Sequence, residues 1–185
     1  CIGVRFHDFV FAGSRPMPTL YFGQVYIEPA FRGRMLIQRT VLGFMLKAKF
    51  RHPLGTCYFW TDALTYKPYL VMANNLADYC PHPDRATPPD ILALQDAIGA
   101  RYYPDTFQAK TRTVNKPSNL LNDQSVVITE RDLQNRFIRF YAQRNPGHAK
   151  GDGLFLVCPM SLKNVLHFLL RLIRKKRQSR GRHAG

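Results

Sequence analysis

The chain has 185 residues, 45% of them hydrophobic and 12% aromatic, which suits one domain with a sizeable core. It carries 27 Lys and Arg against 12 Asp and Glu, a formal charge of +15. That composition excludes a disordered chain, a collagen-like repeat and a disulfide-stapled miniprotein, and no run approaches the ~18 apolar residues of a membrane span. The expectation is a soluble globular domain.

The basic excess is uneven. Arg171, Arg174, Lys175, Lys176, Arg177, Arg180 and Arg182 fall in residues 171–185 with no acid among them, leaving 20 bases against 12 acids in residues 1–170. Such a surface favours anionic partners: nucleic acid, phosphorylated cofactors, acidic proteins or anionic lipid. The four cysteines, Cys1, Cys57, Cys80 and Cys158, form no C-x-x-C pair. Cys57 and Cys158 lie in apolar runs and read as core residues, so we expect a reducing, cytoplasmic compartment and no metal.

In chain order, residues 2–12 are β-branched and aromatic and read as a strand, turned at Gly13-Ser14-Arg15-Pro16. Residues 19–27 are apolar on both alternating faces, the pattern of a central strand; Gly23 inside it marks a bulge, a close approach or plain packing. Residues 33–50 predict a largely buried helix, ended before Pro53 and Gly55, and residues 56–61 return as an apolar strand. Strand, helix and strand make a right-handed βαβ crossover, with the two strands parallel.

A helix near 66–79 follows, then a proline-rich stretch. Thr87-Pro88-Pro89-Asp90 reads as a capping box opening a helix to Gly99. Residues 100–127 read as irregular, with a strand at 125–128. Thr129-Glu130-Arg131-Asp132 reads as a second capping box before a helix stopped at Asn145-Pro146-Gly147. A buried strand at 154–158 and an amphipathic helix at 161–177 complete the chain. We divide it into a domain at residues 1–160 and a C-terminal helix with basic tail at 161–185.

The informative junction is Ile27-Glu28-Pro29-Ala30-Phe31-Arg32-Gly33-Arg34-Met35. No Ser, Thr, Asp or Asn caps the helix that opens there, and two arginines stand where the dipole disfavours cations. Uncapped amides beyond the end of a parallel strand form a place for an anion. A solvated helix start with two surface arginines fits the same residues.

Val25-Tyr26-Ile27-Glu28-Pro29-Ala30-Phe31-Arg32-Gly33-Arg34 resembles the signature of the GNAT acyltransferase superfamily, and the resemblance extends over roughly residues 2–80. It implies an α/β fold: a mixed, mostly antiparallel twisted sheet with a parallel βαβ core and flanking helices. Residues 1–18 supply too little sequence for the family's first elements, so we expect an upstream part of that fold to be missing. The implied activity is transfer of an acyl group from a thioester, acyl-CoA or an acyl carrier protein, to an amine.

The resemblance puts the donor on Val25, Ile27, Arg32, Gly33, Arg34, Met35, Leu36 and Ile37, with an oxyanion donor among the amides of 25–27. Met35 and Ile37 stand where the family has Gly and Gly or Ala, and their bulk crowds a close-lying pyrophosphate. Glu28 and Asp62 are the candidate bases, and Tyr66 and Tyr69 the candidate acids. For each of these single residues, packing or local charge balance is the competing reading. The alternatives for the whole chain are a catalytically inactive relative, or a module that binds nucleic acid or an anionic membrane through residues 171–185.

Overall fold

The computed structural model describes residues 3–11, 16–23, 25, 27–31, 36–53, 55–116 and 127–181. Its elements are β1 (Gly3–Phe9), β2 (Met17–Gly23), α1 (Leu36–Arg51), β3 (Tyr58–Ala63), α2 (Tyr66–Asn75) and α3 (Pro89–Tyr102), then β4 (Phe107–Gln108), β5 (Thr113–Val114), α4 (Arg136–Arg144), β6 (Gly153–Pro159) and α5 (Leu162–Gly181). Six strands form one sheet in the order β1-β2-β3-β6-β5-β4. Every pairing is antiparallel except β2 with β3, which are parallel and joined by α1. The crossover expected from the double-faced apolar segments is therefore present, in a mixed, mostly antiparallel α/β sheet.

Strand alternation sends side chains into two cores. On one face Leu20, Phe22, Phe59, Ala63, Leu154, Leu156 and Cys158 pack under α1, α2, α4 and α5. On the other, Trp60, Phe155 and Val157 pack under Ile91, Leu94 and Ile98 of α3. Burying each such large side chain stabilises the fold by about 1.5–3 kcal/mol. Cys57 and Cys158 are buried and unpaired, as their apolar surroundings suggest.

The direction of α5 follows from its neighbours. Met160 donates its backbone N–H to the Cys57 carbonyl at 2.7 Å, so α5 begins beside the start of β3. The Asn164 carboxamide then accepts from the amides of Ala77 (2.9 Å) and Asp78 (2.8 Å) and donates to the carbonyls of Asp78 and Pro159 at 2.7 Å. All four of its bonds are spent on pinning α5 to the chain just past α2. From there α5 packs on both α1 and α2. Val165 and Phe168 enter the same core that residues of the 1–160 segment build.

Several boundaries differ from those expected. The described ladder of the second strand reaches Gly23, opposite Gly3, and of the residues expected to continue it Val25 and Ile27 are in no ladder, while residues 24 and 26 lie outside the described residues. The helix after β3 stops at Asn75 rather than 79, and Leu76 is already extended. No side-chain cap forms at 87–90: Pro88 holds the N-cap position and offers no acceptor, and α3 runs on to Tyr102. The box at 129–132 does form, with Thr129 donating to the Asp132 carboxylate from its amide (2.9 Å) and hydroxyl (2.7 Å). It opens only a short 3-10 turn, and Asn135 caps α4 instead. The stretch expected to be irregular holds β4 and β5. Of the strand expected at 125–128, residues 125 and 126 lie outside the described residues, and Val127 and Ile128 are not extended in a ladder.

Candidate functional site

The parallel ladder is short. Its described partners are Thr19 with Tyr58, Leu20 with Phe59 and Tyr21 with Trp60. Beyond them β2 continues to Gly23 against β1, while β3 continues to Ala63 against β6. The two strands therefore part at their C-terminal ends, the position where open α/β sheets hold ligands. The starts of α1 and α2 flank the same end, because each helix leaves from the end of the strand before it.

Asp62 stands in this opening, on the α3 face of the sheet. Its side chain is 4% exposed and forms an ion pair with Lys116, itself only 18% exposed. Oδ1 accepts the Tyr21 hydroxyl at 2.8 Å, and Oδ2 accepts the Tyr103 hydroxyl at 2.7 Å as well as the Lys116 ammonium. Lys116 also lies 3.4 Å from the Tyr103 hydroxyl, and its ammonium sits over that ring. The four groups come from three strand ends and the end of α3. β5 runs in the same direction as β3, so Lys116, just past its end, reaches the same edge of the sheet.

Packing fixes the phenols. Tyr21 lies against Trp60, with ring centroids 4.4 Å apart, and Tyr103 against Phe155 at 5.7 Å. Of the readings open for Gly23, the structure shows a packing one: a Cβ there would overlap the Tyr21 phenol, two residues earlier on the same strand face. Burial, with the Asp62 charge and its hydrogen bond adding to it, pushes both phenols above the ordinary tyrosine value of 10.0. They remain protonated donors at neutral pH. Arg5 of β1 roofs the aromatic group, 4.6 Å from the Tyr102 ring and 5.7 Å from that of Tyr21.

A carboxylate accepting three donors, one of them cationic, is a strong anchor for the groups around it. Burying an ion pair seldom stabilises a fold more than an apolar replacement would. Its presence in an otherwise aromatic core therefore points to a task beyond stability.

The other sequence-derived candidates are dispersed. Glu28 is exposed in the connection from β2 to α1, where its carbonyl accepts the Phe31 amide at 2.9 Å. Tyr66 opens α2 and Tyr69 lies one turn on, both packed in the core on the opposite face from the Asp62 carboxylate. Tyr69 is wholly enclosed against Tyr79, Phe140 and Tyr141, and its buried hydroxyl makes no hydrogen bond of good geometry. Burial raises the Tyr66 and Tyr69 phenols as well. Val25 is exposed and Ile27 half-buried, both after the end of β2. Leu36 and Ile37 form the first turn of α1, while Arg32, Gly33, Arg34 and Met35 lie outside the described residues.

Thus Asp62 is brought into a buried polar cluster, and its partners are Tyr21, Tyr103 and Lys116, none of which the sequence singled out. Only the Tyr21-x-Gly23 spacing carried a local trace of them. Among the described residues no group of three His, Cys, Asp or Glu gathers as metal ligands would. Comparison with family models, with curated proteins and with solved structures returned no match.

Proposed function

We propose that the chain is an acyltransferase of GNAT type, moving an acyl group from a thioester donor, acyl-CoA or an acyl carrier protein, to an amine. The observation that carries the reading is the parting of β2 and β3 beyond Tyr21 and Trp60, with the Asp62 cluster in the gap. The same βαβ unit holds the residues that resemble the family signature, and the positive charge suits a phosphorylated donor or an acidic carrier.

In this reading the donor's phosphates lie over residues 32–37 at the start of α1, and its thioester enters between the parted strands. The amine nitrogen attacks the thioester carbonyl carbon, the new C–N bond forms, and the C–S bond breaks. The amine's proton passes to a carboxylate and the departing thiolate takes one from a phenol. Asp62, paired with Lys116, orients Tyr21 and Tyr103. Glu28, exposed beside the donor loop, is the carboxylate free to take a proton through water. Tyr21, at the parting itself, is the phenol that supplies the thiolate's proton in this reading, its hydroxyl turning from Asp62 to the sulfur as the C–S bond breaks. An inactive relative would bind the donor in the same place without turnover.

Calorimetric titration with CoA, and with a phosphopantetheinylated carrier protein, tests the reading. We expect one of them to bind, and Arg32→Glu to weaken it by about 1–3 kcal/mol, the loss of one charge-assisted contact to phosphate. Binding of neither by the folded chain would end the acyltransferase reading.

A further inference from the structure

The outer surface formed by α1 and α5 has a composition unlike the rest of the molecule. On α5, Leu162, Leu166, Leu170 and Ile173 recur at helical spacing and are 49–62% exposed. The inward stripe of Val165, Phe168, Leu169 and Leu172 already supplies the core contact, so these four are a second apolar shoulder on the same helix. Asn164, across the inward stripe from these leucines, bonds the chain just past α2, which turns the leucine shoulder toward α1.

α1 answers it. Phe44 turns the opposite way, to Phe22 and Phe6 at centroid distances of 5.3 and 6.2 Å, which leaves Leu46 and Phe50 on the side facing α5. Phe50 is 85% exposed, an unusual position for a phenylalanine unless something covers it.

Charge selects what covers it. The two helices contain Arg39, Lys47, Lys49 and Arg51 on α1, and Lys163, Arg171, Arg174, Lys175, Lys176, Arg177 and Arg180 on α5, with no Asp or Glu in either. A second copy of this strongly basic chain would meet that rim with like charge. No described helix is long and apolar enough to cross a membrane. An apolar stripe with a cationic border and no carboxylate is the pattern of helices that lie in the plane of a membrane surface.

We propose that the α1–α5 face docks on an anionic bilayer, with Phe50, Leu166 and Leu170 entering the headgroup boundary and the flanking Lys and Arg on lipid phosphates. This surface lies on the opposite face of the sheet from Asp62, so the inference stands independently of the acyl-transfer reading.

Co-sedimentation of the full chain with vesicles tests it, using phosphatidylcholine alone and phosphatidylcholine mixed with phosphatidylglycerol. The expected result is binding to the mixed vesicles and little to the neutral ones. The double variant Leu166→Gln/Leu170→Gln, and separately Phe50→Gln, should each weaken binding by roughly tenfold. Both leave the charge unchanged, and their thermal unfolding should match that of the parent because the replaced side chains touch solvent. Lys47→Gln/Arg174→Gln should weaken binding and flatten its salt dependence. Failure to bind anionic vesicles would overturn the proposal. So would binding that the apolar variants leave intact, equal binding to neutral vesicles, a dimer that these variants dissolve, or oligonucleotide binding that they abolish.

Discussion

The two faces of the sheet are built from the same strands and solve different problems. The face under α1, α2, α4 and α5 is an apolar core in which one buried phenol, Tyr69, has a hydroxyl that makes no good hydrogen bond. The face under α3 carries a buried carboxylate that takes donors from Tyr21, Tyr103 and Lys116. A hydroxyl tolerated without a partner can be deleted at little cost, whereas one that satisfies a buried charge cannot. The contrast separates a phenol that packs from phenols that satisfy a buried charge.

The largest effect should come from removing the charge at the centre of the polar face. Asp62→Ala strands Lys116 and two phenols together, and should lower unfolding stability by about 3 kcal/mol in urea titrations. Gly23→Ala should follow at about 1–3 kcal/mol, because the added methyl displaces the Tyr21 ring from its bond to Asp62. The sharpest comparison is one substitution made on both faces. Tyr103→Phe should cost about 1.5–3 kcal/mol, the range for a hydrogen bond to a charged group, while Tyr69→Phe should stay within about 0.5 kcal/mol of the parent. Equal costs would erase the distinction between the faces.

Alkaline pH offers a smaller, independent probe. Tyr21 and Tyr103 have raised values in the folded state, so their contribution is complete below the ordinary tyrosine value of 10.0. It is lost as pH climbs above that value, where the unfolded chain ionises first and the folded chain resists. Urea midpoints taken at about pH 9 and pH 11 should therefore fall, and should fall less in Tyr103→Phe.

What could be read from the sequence is what short-range pattern encodes. The β2–α1–β3 crossover was legible because both strands are apolar on alternating faces and the connection has crossover length. The strand's end was not, since Val25 and Ile27 have strand-forming side chains and yet neither is in a ladder. Thr129 and Asp132 announced their reciprocal bonds because the motif is local. Thr87 and Asp90 looked alike on paper, but Pro88 took the capping position and Pro89 the first helical one. The Asp62 cluster was half legible: a carboxylate at the end of an apolar strand stands out. Tyr103 and Lys116 lie 41 and 54 residues away in a segment without periodicity, and no pattern in the chain joins them to it.

The central claim is that a thioester donor lies between the parted ends of β2 and β3. Hydrogen–deuterium exchange of the full chain, with and without a saturating acyl-CoA, tests it most directly. The account predicts slowed exchange at residues 21–31, at the first turn of α1 and at Thr61 to Ala63, with α4 and the α5 surface unchanged. Uniform exchange across those segments, or protection confined to α5, would contradict it.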